Sequence, residues 1–258
     1  MKEDLTVIIP IDKLDETTRP LFDKALESVG VQAYGTRIMV VGPKAELDKL
    51  KTPEGQRDKI LIFVENEDIN LPKQVNVAVE NVKTKYFSVL EYDDTYTKHW
   101  FENVEKWMQA KPNLFAYLPI NEVFDYKNNN EAIGYLNEPV WASSFSEKLG
   151  YFDTDSLMNY PNVNCTGGIF NRDEFIEIGG LKESMKLTFW YEFILRANHK
   201  AKSIYVIPKI GLKHGVNREG SLMDIYSKTI KPEEADWWIN LAREEHFFKK
   251  DRKKTYEE

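Results

Sequence analysis

The chain opens on a continuous apolar run, Leu5-Thr6-Val7-Ile8-Ile9-Pro10-Ile11, of the kind carried by a strand buried on both faces. An acidic stretch around Asp15-Glu16 follows and predicts a helix through about Ser28. The strand signal returns at Arg37-Ile38-Met39-Val40-Val41-Gly42, and Pro43 opens a short amphipathic helix over 45–50. It appears again at Ile60-Leu61-Ile62-Phe63-Val64, ahead of a helix over 71–82, and at Tyr86-Phe87-Ser88-Val89-Leu90. Strands alternating with helices in this way predict an α/β fold built on a mostly parallel sheet flanked by helices. In such sheets ligands gather at the carboxyl ends of the strands. The segments after Pro10, Gly42, Val64 and Leu90 are therefore the candidate binding loops.

The second half is less regular. A helix over 98–109 and a strand at Leu114-Phe115-Ala116-Tyr117-Leu118 lead into a stretch that holds Asn128-Asn129-Asn130 and the aromatics Tyr151, Phe152 and Tyr160. A long connection inside a compact domain is usually functional or mobile, so 121–165 reads as a mobile insertion on the acceptor side of a site. Order returns with Gly167-Gly168-Ile169-Phe170, a helix over 172–178, Gly179-Gly180, a helix over 188–198 and a strand over 203–207. A last helix, from Pro232 to about Lys250, spaces Trp237, Trp238, Leu241, Phe247 and Phe248 as a packing arm would. The expected division is a domain over 1–222, with halves at 1–95 and 96–222, followed by a helical extension over 223–258.

Composition narrows the class. Of 258 residues, 42% are hydrophobic and 30% charged, enough to bury a core under a well-solvated surface. No run approaches the roughly 18–20 apolar residues that span a bilayer, and Met1-Lys2-Glu3-Asp4 leads straight into a strand without a signal-peptide core, so a cytoplasmic location is expected. The net charge of −7 disfavours broad, salt-driven binding to nucleic acid. The run Lys249-Lys250-Asp251-Arg252-Lys253-Lys254 is either a local basic patch or a solvated helix end. The single cysteine, Cys165, rules out an intramolecular disulfide and a cysteine-based zinc site, and reads as a small filler.

The strongest chemical signal is Leu90-Glu91-Tyr92-Asp93-Asp94. An apolar strand that delivers three carboxylates into one turn concentrates negative charge, which is costly unless a cation compensates it. Hard oxygen ligands at this density suit Mn²⁺ or Mg²⁺, which also accept oxygens from a diphosphate. Taken alone, the same turn also fits an exposed helix-capping segment.

Around this turn the chain resembles the family 2 glycosyltransferases, which have the GT-A fold, through several loose motifs in the family's order. Val7-Ile8-Ile9-Pro10 matches the opening strand, and Asn76 the second residue of an Arg-Asn pair. Leu90-Glu91-Tyr92-Asp93-Asp94 matches Leu-Asp-x-Asp-Asp. Gly167-Gly168, Phe170-Asn171-Arg172, Gly179-Gly180-Leu181-Lys182-Glu183 and Tyr191-Glu192-Phe193-Ile194-Leu195-Arg196 match later elements, so the resemblance covers residues 5 to about 222.

The resemblance implies roles, with 1–95 as the nucleotide-binding half and 96–222 as the acceptor-side half. Pro10, Ile11 and Asp12 would border the nucleotide with Asn76, while Asp93 and Asp94, with Glu91, would serve the metal and the sugar-phosphate. Lys213-His214-Gly215-Val216-Asn217-Arg218 resembles the family's late loop, placing His214 and Arg218 at the metal or diphosphate. Gly167, Gly168 and Trp190 would border the acceptor. Two departures stand out. Gly42-Pro43 replaces the Asp that often follows the second strand, and Phe189-Trp190 replaces a Glu-Asp pair, leaving Glu192 as the nearest candidate for the base that inverting transfer requires.

The implied activity is transfer of a glycosyl group from a nucleotide-diphosphate sugar, a UDP-sugar first, to a hydroxyl acceptor, with inversion and with Mn²⁺ or Mg²⁺. The acceptor stays open among a glycan, a lipid-linked sugar, a protein and a modified nucleic-acid base. Retaining transfer on the same fold, a nucleotidyltransferase and a non-catalytic nucleotide-sugar-binding module are the alternatives.

Overall fold

The computed structural model describes residues 4–32, 36–50, 61–128 and 130–246. β1 (Leu5–Pro10) is buried at every position, because it runs between β2 (Arg37–Gly42) and β4 (Tyr86–Val89), parallel to both. β3 (Leu61–Glu65) continues the parallel sheet beyond β2. The intervening helices are α1 (Arg19–Gly30), α2 (Lys44–Asp48) and α3 (Leu71–Asn81). α1 starts later than Asp15 because that carboxylate accepts from the amides of Thr17 and Thr18, closing a local turn before the helix. α3 starts where its signals put it, with Asn70 capping the Lys73 amide at 3.0 Å and Pro72 in the first turn.

Past β4 the sheet becomes mixed. β5 (Thr95–Tyr96) and α4 (Trp100–Ala110) precede the long strand β6 (Ala116–Asp125), which turns back as β7 (Glu131–Leu136). α5 (Thr154–Asn159) leads to β8 (Ile169–Asn171), which lies antiparallel between β4 and β6. After α6 (Arg172–Glu177) and α7 (Phe189–His199), β9 (Ile204–Val216) runs parallel to β6 and carries β5 on its far side. Among the described residues this makes nine strands in the order β3-β2-β1-β4-β8-β6-β9-β5, with β7 beside β6.

Two expectations change. The stretch 121–165 is not a structureless insertion: it begins inside β6, continues through β7 and a short 3-10 helix (Glu138–Trp141), and includes α5. Asn137 fixes this segment. Its backbone is left-handed (φ 69°), its side chain is fully buried, and its amide donates to the Pro119 carbonyl at 3.0 Å and the Asn164 carbonyl at 2.7 Å. β9 is also much longer than the strand over 203–207, passing Pro208 and Gly211 through register shifts. Gly211 is required there, since a side chain would collide with the Trp100 ring.

α7 shows what the Tyr-Glu-x-x-x-Arg pattern does. Glu192 is fully buried, and Arg196, one turn on, binds both its oxygens at 2.9 and 2.8 Å, with Lys182 3.3 Å away. Arg196 also donates to the carbonyls of Ile178 and Gly180, so the pair clamps α7 to the Gly179–Gly180 turn. Asn76 secures that turn from α3, exchanging hydrogen bonds of 2.8 Å with both backbone groups of Leu181. Trp190 packs inside the core, stacked on Phe170 at 5.8 Å and against Phe193. The candidate base, one candidate nucleotide contact and one candidate acceptor surface are thus corrected to packing roles, because hydrogen bonding or burial already occupies each side chain.

The C-terminal helix is a packing arm over its described part. α8 (Leu222–Thr229) leads to α9 (Pro232–His246), which buries Trp238 and Ala242, and Arg243 donates to the Tyr191 hydroxyl at 3.1 Å and the Met158 carbonyl at 2.7 Å. The basic run and Phe247-Phe248 lie outside the described residues. No described helix is long and apolar enough to cross a membrane.

These anchors predict stability effects. Glu192→Ala leaves Arg196 buried without its anion and should destabilise the protein by about 3–5 kcal/mol in urea unfolding, whereas a wild-type midpoint would refute the clamp. Asn137→Ala should cost about 1–3 kcal/mol through its unpaired carbonyls, and Asn137→Gly, which removes the backbone strain, should cost less. An Asn137→Ala protein as stable as wild type would contradict the anchoring role.

Candidate active site

The acidic turn leaves the sheet at the carboxyl end of β4. The Leu90 amide still bonds the Ile8 carbonyl at 2.9 Å, and the Asp94 amide closes the turn on the Glu91 carbonyl at 3.0 Å before β5 begins. The sheet order then brings β9 alongside, with residues far away in sequence. Asp94 is buried, and His214 Nδ1 lies 3.0 and 3.1 Å from its two oxygens while the Gly215 amide donates at 3.0 Å. Asp93 accepts from Arg218 Nε at 2.8 Å. Arg218 also donates to the Tyr92 hydroxyl at 3.0 Å, with its guanidinium 5.3 Å from that ring's centre. The Tyr126 hydroxyl holds the Asp93 carbonyl at 3.0 Å, and Thr166 donates to Glu91 at 2.9 Å.

Charge follows from this geometry. Burial, then the carboxylates of Asp94 and Asp93, push Glu91 up to about 7. Burial alone would lower His214, but Asp94 outweighs it, with help from Glu91 and Asp93, and the imidazole rises to about 9. At neutral pH it is an imidazolium facing Asp94. Three carboxylates then meet two cationic side chains, an imbalance that another cation, or a proton on Glu91, relieves.

β1 supplies the neighbouring rim. Pro10 ends the strand, Ile11 donates to the Val41 carbonyl at 2.9 Å, and the Ile11 carbonyl accepts from Gln74 Nε2 at 2.8 Å. Asp12 is exposed, and after burial its charge is the main influence raising the Tyr92 phenol, so it lies beside the acidic turn. Gly42 sits directly against Ile11, where any side chain would collide. That contact accounts for the missing Asp after β2.

The Gly167–Gly168 turn joins the site from the other side. The Gly167 amide donates to the Val89 carbonyl at 2.8 Å, and its own carbonyl accepts from the Trp100 indole at 2.9 Å. Gly167 rests on Leu212 and Gly168 on Leu118, which leaves no room for side chains. The structure therefore brings together Pro10, Ile11, Asp12, Glu91, Asp93, Asp94, Gly167, Gly168, His214 and Arg218, and leaves Asn76, Trp190 and Glu192 in packing roles. Thr166, Tyr126 and Gln74 were missed. Thr166 adjoins the Gly-Gly pair, a usable signal, but nothing local marks the other two.

A cleft of about 410 Å³ opens on the outer face of β5, β9 and β6, lined by Lys24, Glu122, Phe124, Tyr126 and Lys213, and it reaches the acidic turn at Asp93. His214 alternates with Lys213 along β9 and faces the opposite side.

Among the described residues no three Asp, Glu, His or Cys side chains gather into a ready-made metal cluster. The donor types still fit a hard divalent ion. Asp94 and the adjacent Asp93 offer carboxylate oxygens, His214 would offer an imidazole nitrogen once a metal displaces its proton, and diphosphate oxygens would complete the set.

No protein-family model matches the chain. Over 194 residues it is 21% identical to the glycosyltransferase GlyA of Streptococcus pneumoniae serotype 4, covering 69% of this chain and 26% of that protein. The chain thus spans about a quarter of the length of that relative. Among solved structures, S. aureus TarS 1–349 in complex with UDP-GlcNAc superposes with a TM-score of 0.68 at 17% identity, over 93% of this chain and 65% of that one. The mannosyltransferase PcManGT from Pyrobaculum calidifontis, in complex with GDP-Man and Mn²⁺, gives 0.61 at 15% identity, over 84% and 58%. GalNAc-T7 with UDP, GalNAc and Mn²⁺ gives 0.60 at 14% identity, over 84% and 44%. Across nearly its whole length the chain has the GT-A fold of nucleotide-sugar glycosyltransferases, the architecture its motifs resemble.

Proposed function

We propose that the chain transfers a glycosyl group from a nucleotide-diphosphate sugar, a UDP-sugar first, to a hydroxyl acceptor. One observation carries this reading. Asp93 and Asp94, at the carboxyl end of β4, are each gripped by a cationic side chain delivered by β9 and the turn after it, His214 on one and Arg218 on the other. Such a cluster has both signs of charge needed to receive a metal-diphosphate. The nucleotides in complex with TarS, PcManGT and GalNAc-T7, and the Mn²⁺ of the latter two, support the same reading.

Asp94 and His214, with Asp93, would hold Mn²⁺ or Mg²⁺, which when bound neutralises charge on the departing diphosphate. Arg218 orients and compensates Asp93, and Tyr126 fixes the backbone that presents it. Asp12 and the Ile11 backbone border the nucleotide from β1. The backbone of the Gly167–Gly168 turn, packed on Leu212 and Leu118, borders the sugar and the incoming hydroxyl, whether of a glycan, lipid-linked sugar, protein or modified base.

Inverting transfer is the expectation carried by the resemblance. It needs a carboxylate to accept the acceptor's proton, and Glu192 is committed to Arg196. That commitment favours a second reading, retaining transfer on the same scaffold. The anomeric configuration of the first product formed, read by proton NMR, decides between them.

Donor affinity tests the site itself. Calorimetry with a UDP-sugar and Mn²⁺ should show binding that EDTA weakens and that Asp93→Asn or Asp94→Asn reduces at least about tenfold, since either change removes an anionic oxygen ligand. Thermal shift should follow the same order, because a ligand bound only by the folded state raises its melting temperature. Equal affinity in both variants and in EDTA would remove the acidic turn from donor binding.

A further inference from the structure

Two asparagines lie fully buried on either side of the β6–β7 hairpin, and they are used differently. Asn137 spends both ends of its amide on the fold, donating to Pro119 and Asn164 and accepting from the Asn164 amide at 3.2 Å. Among the described residues Asn121 has no hydrogen-bond partner at either its amide nitrogen or its amide oxygen. Buried polar side chains are nearly always hydrogen-bonded, so an amide open at both ends calls for a partner from outside the chain.

The strand register says where that partner would be. Asn121 of β6 stands opposite Leu212 of β9, and Val123 stands opposite His214. Directly opposed residues share a face of the sheet, and so do residues two apart. Asn121 therefore projects from the same face as His214, roughly 7 Å along the strands from it. Gly167 rests on Leu212, the cross-strand partner of Asn121, so the Gly167–Gly168 turn covers this same spot. Asn121 thus lies beside the glycine turn proposed to border the acceptor, on the face that carries the Asp94–His214 pair, where a diphosphate is proposed to bind. The part of a donor that lies between its diphosphate and the acceptor is the sugar.

We infer that Asn121 is a specificity-determining residue that hydrogen-bonds the donor sugar. A carboxamide offers two N–H donors and a carbonyl acceptor on one rigid plane, which matches a pair of neighbouring sugar hydroxyls or an acylamino group. A buried amide left unpaired by the wrong sugar disfavours that sugar, which is how such a group discriminates. This inference rests on the nucleotide-sugar reading above.

The test compares UDP with UDP-sugars on the full chain in Mn²⁺. Wild-type affinities for UDP, UDP-GlcNAc, UDP-Glc and UDP-Gal are measured by calorimetry, and then those of Asn121→Leu and Asn121→Ser, with the melting temperature of each unliganded protein. The preferred UDP-sugar should lose at least about tenfold in affinity in both variants while UDP itself is unchanged. The unliganded Asn121→Leu protein should melt no lower than wild type, because it no longer buries an unpaired amide. Wild-type affinity for the UDP-sugar in either folded variant would overturn the assignment and leave the amide to an internal water. An equal loss for UDP and UDP-sugar would overturn it as well, by making the position part of the nucleotide site. If Asn121→Leu does not fold, Asn121→Ser decides alone. Failure of the wild-type protein to bind any of these nucleotides would bring down the nucleotide-sugar reading and this inference with it, an outcome distinct from a variant that merely keeps its affinity.

Discussion

The structure depends on a desolvated cluster of like charge. β4 is flanked on both sides and delivers Glu91, Asp93 and Asp94 to one turn, where Asp94 is buried and the other two are only partly exposed, so water screens them poorly. Charges removed from water are tolerated only when paired or hydrogen-bonded, and among the described residues the cations that pair with Asp93 and Asp94 are not in the first ninety. The counter-charges arrive from His214 and Arg218, more than a hundred residues later, because β5, which follows the acidic turn directly, pairs with β9 at Thr95 and Lys213. The antiparallel pairing of β5 with the bulged strand β9 is therefore the geometry by which the end of the parallel half acquires its positive partners. Local pairing and tertiary topology are solving the same electrostatic problem.

Legibility in the sequence followed the range of the interaction. β1, β2 and β4 were readable because strands covered on both faces are largely apolar, β2 runs over the residues its pattern marked, and the partly exposed edge strand β3 was marked by its apolar run alone. The acidic turn was readable because three carboxylates lie within four residues. β9 was half readable: Pro208 and Gly211 break the apolar pattern, and only the packing of Trp100 on Gly211 explains why the strand continues. His214 and Arg218 could be placed near the diphosphate by resemblance, but their separate partners, Asp94 and Asp93, are facts of register and turn geometry. Tyr126 and Gln74 act through single long-range hydrogen bonds to backbone carbonyls, and such bonds leave no periodicity to detect. The same holds for 121–165, whose order rests on one left-handed asparagine reaching two carbonyls.

The glycines of the site obey a common rule. Gly42, Gly167, Gly168 and Gly211 each sit where a side chain would strike Ile11, Leu212, Leu118 or Trp100. At Gly42 this requirement competes with chemistry, since a carboxylate at that position would have to displace Ile11, whose backbone is already tied to Val41 and Gln74. The end of β2 therefore meets β1 with bare backbone at Gly42, and the carboxylate at this rim is that of the exposed Asp12.

The fate of Glu192 bears on how sequence motifs should be interpreted. A carboxylate four residues before an arginine on an apolar helix is compatible with a catalytic base, a surface ion pair or a buried clamp, and all three have the same spacing. Pairing separates them. With both oxygens bound by Arg196, Glu192 is committed to an ion pair, while Arg196 gains an anion that lets it bind the carbonyls of Ile178 and Gly180 in the interior. The Tyr-Glu-x-x-x-Arg pattern is therefore explained by architecture: it joins α7 to the Gly179–Gly180 turn, which Asn76 joins to α3. A motif maintained by such a clamp testifies to the fold and is silent about the reaction. The chemical argument for this chain accordingly rests on Asp93, Asp94, His214 and Arg218, whose close mutual pairing at the end of the central strands serves no packing purpose that an apolar turn would not serve better.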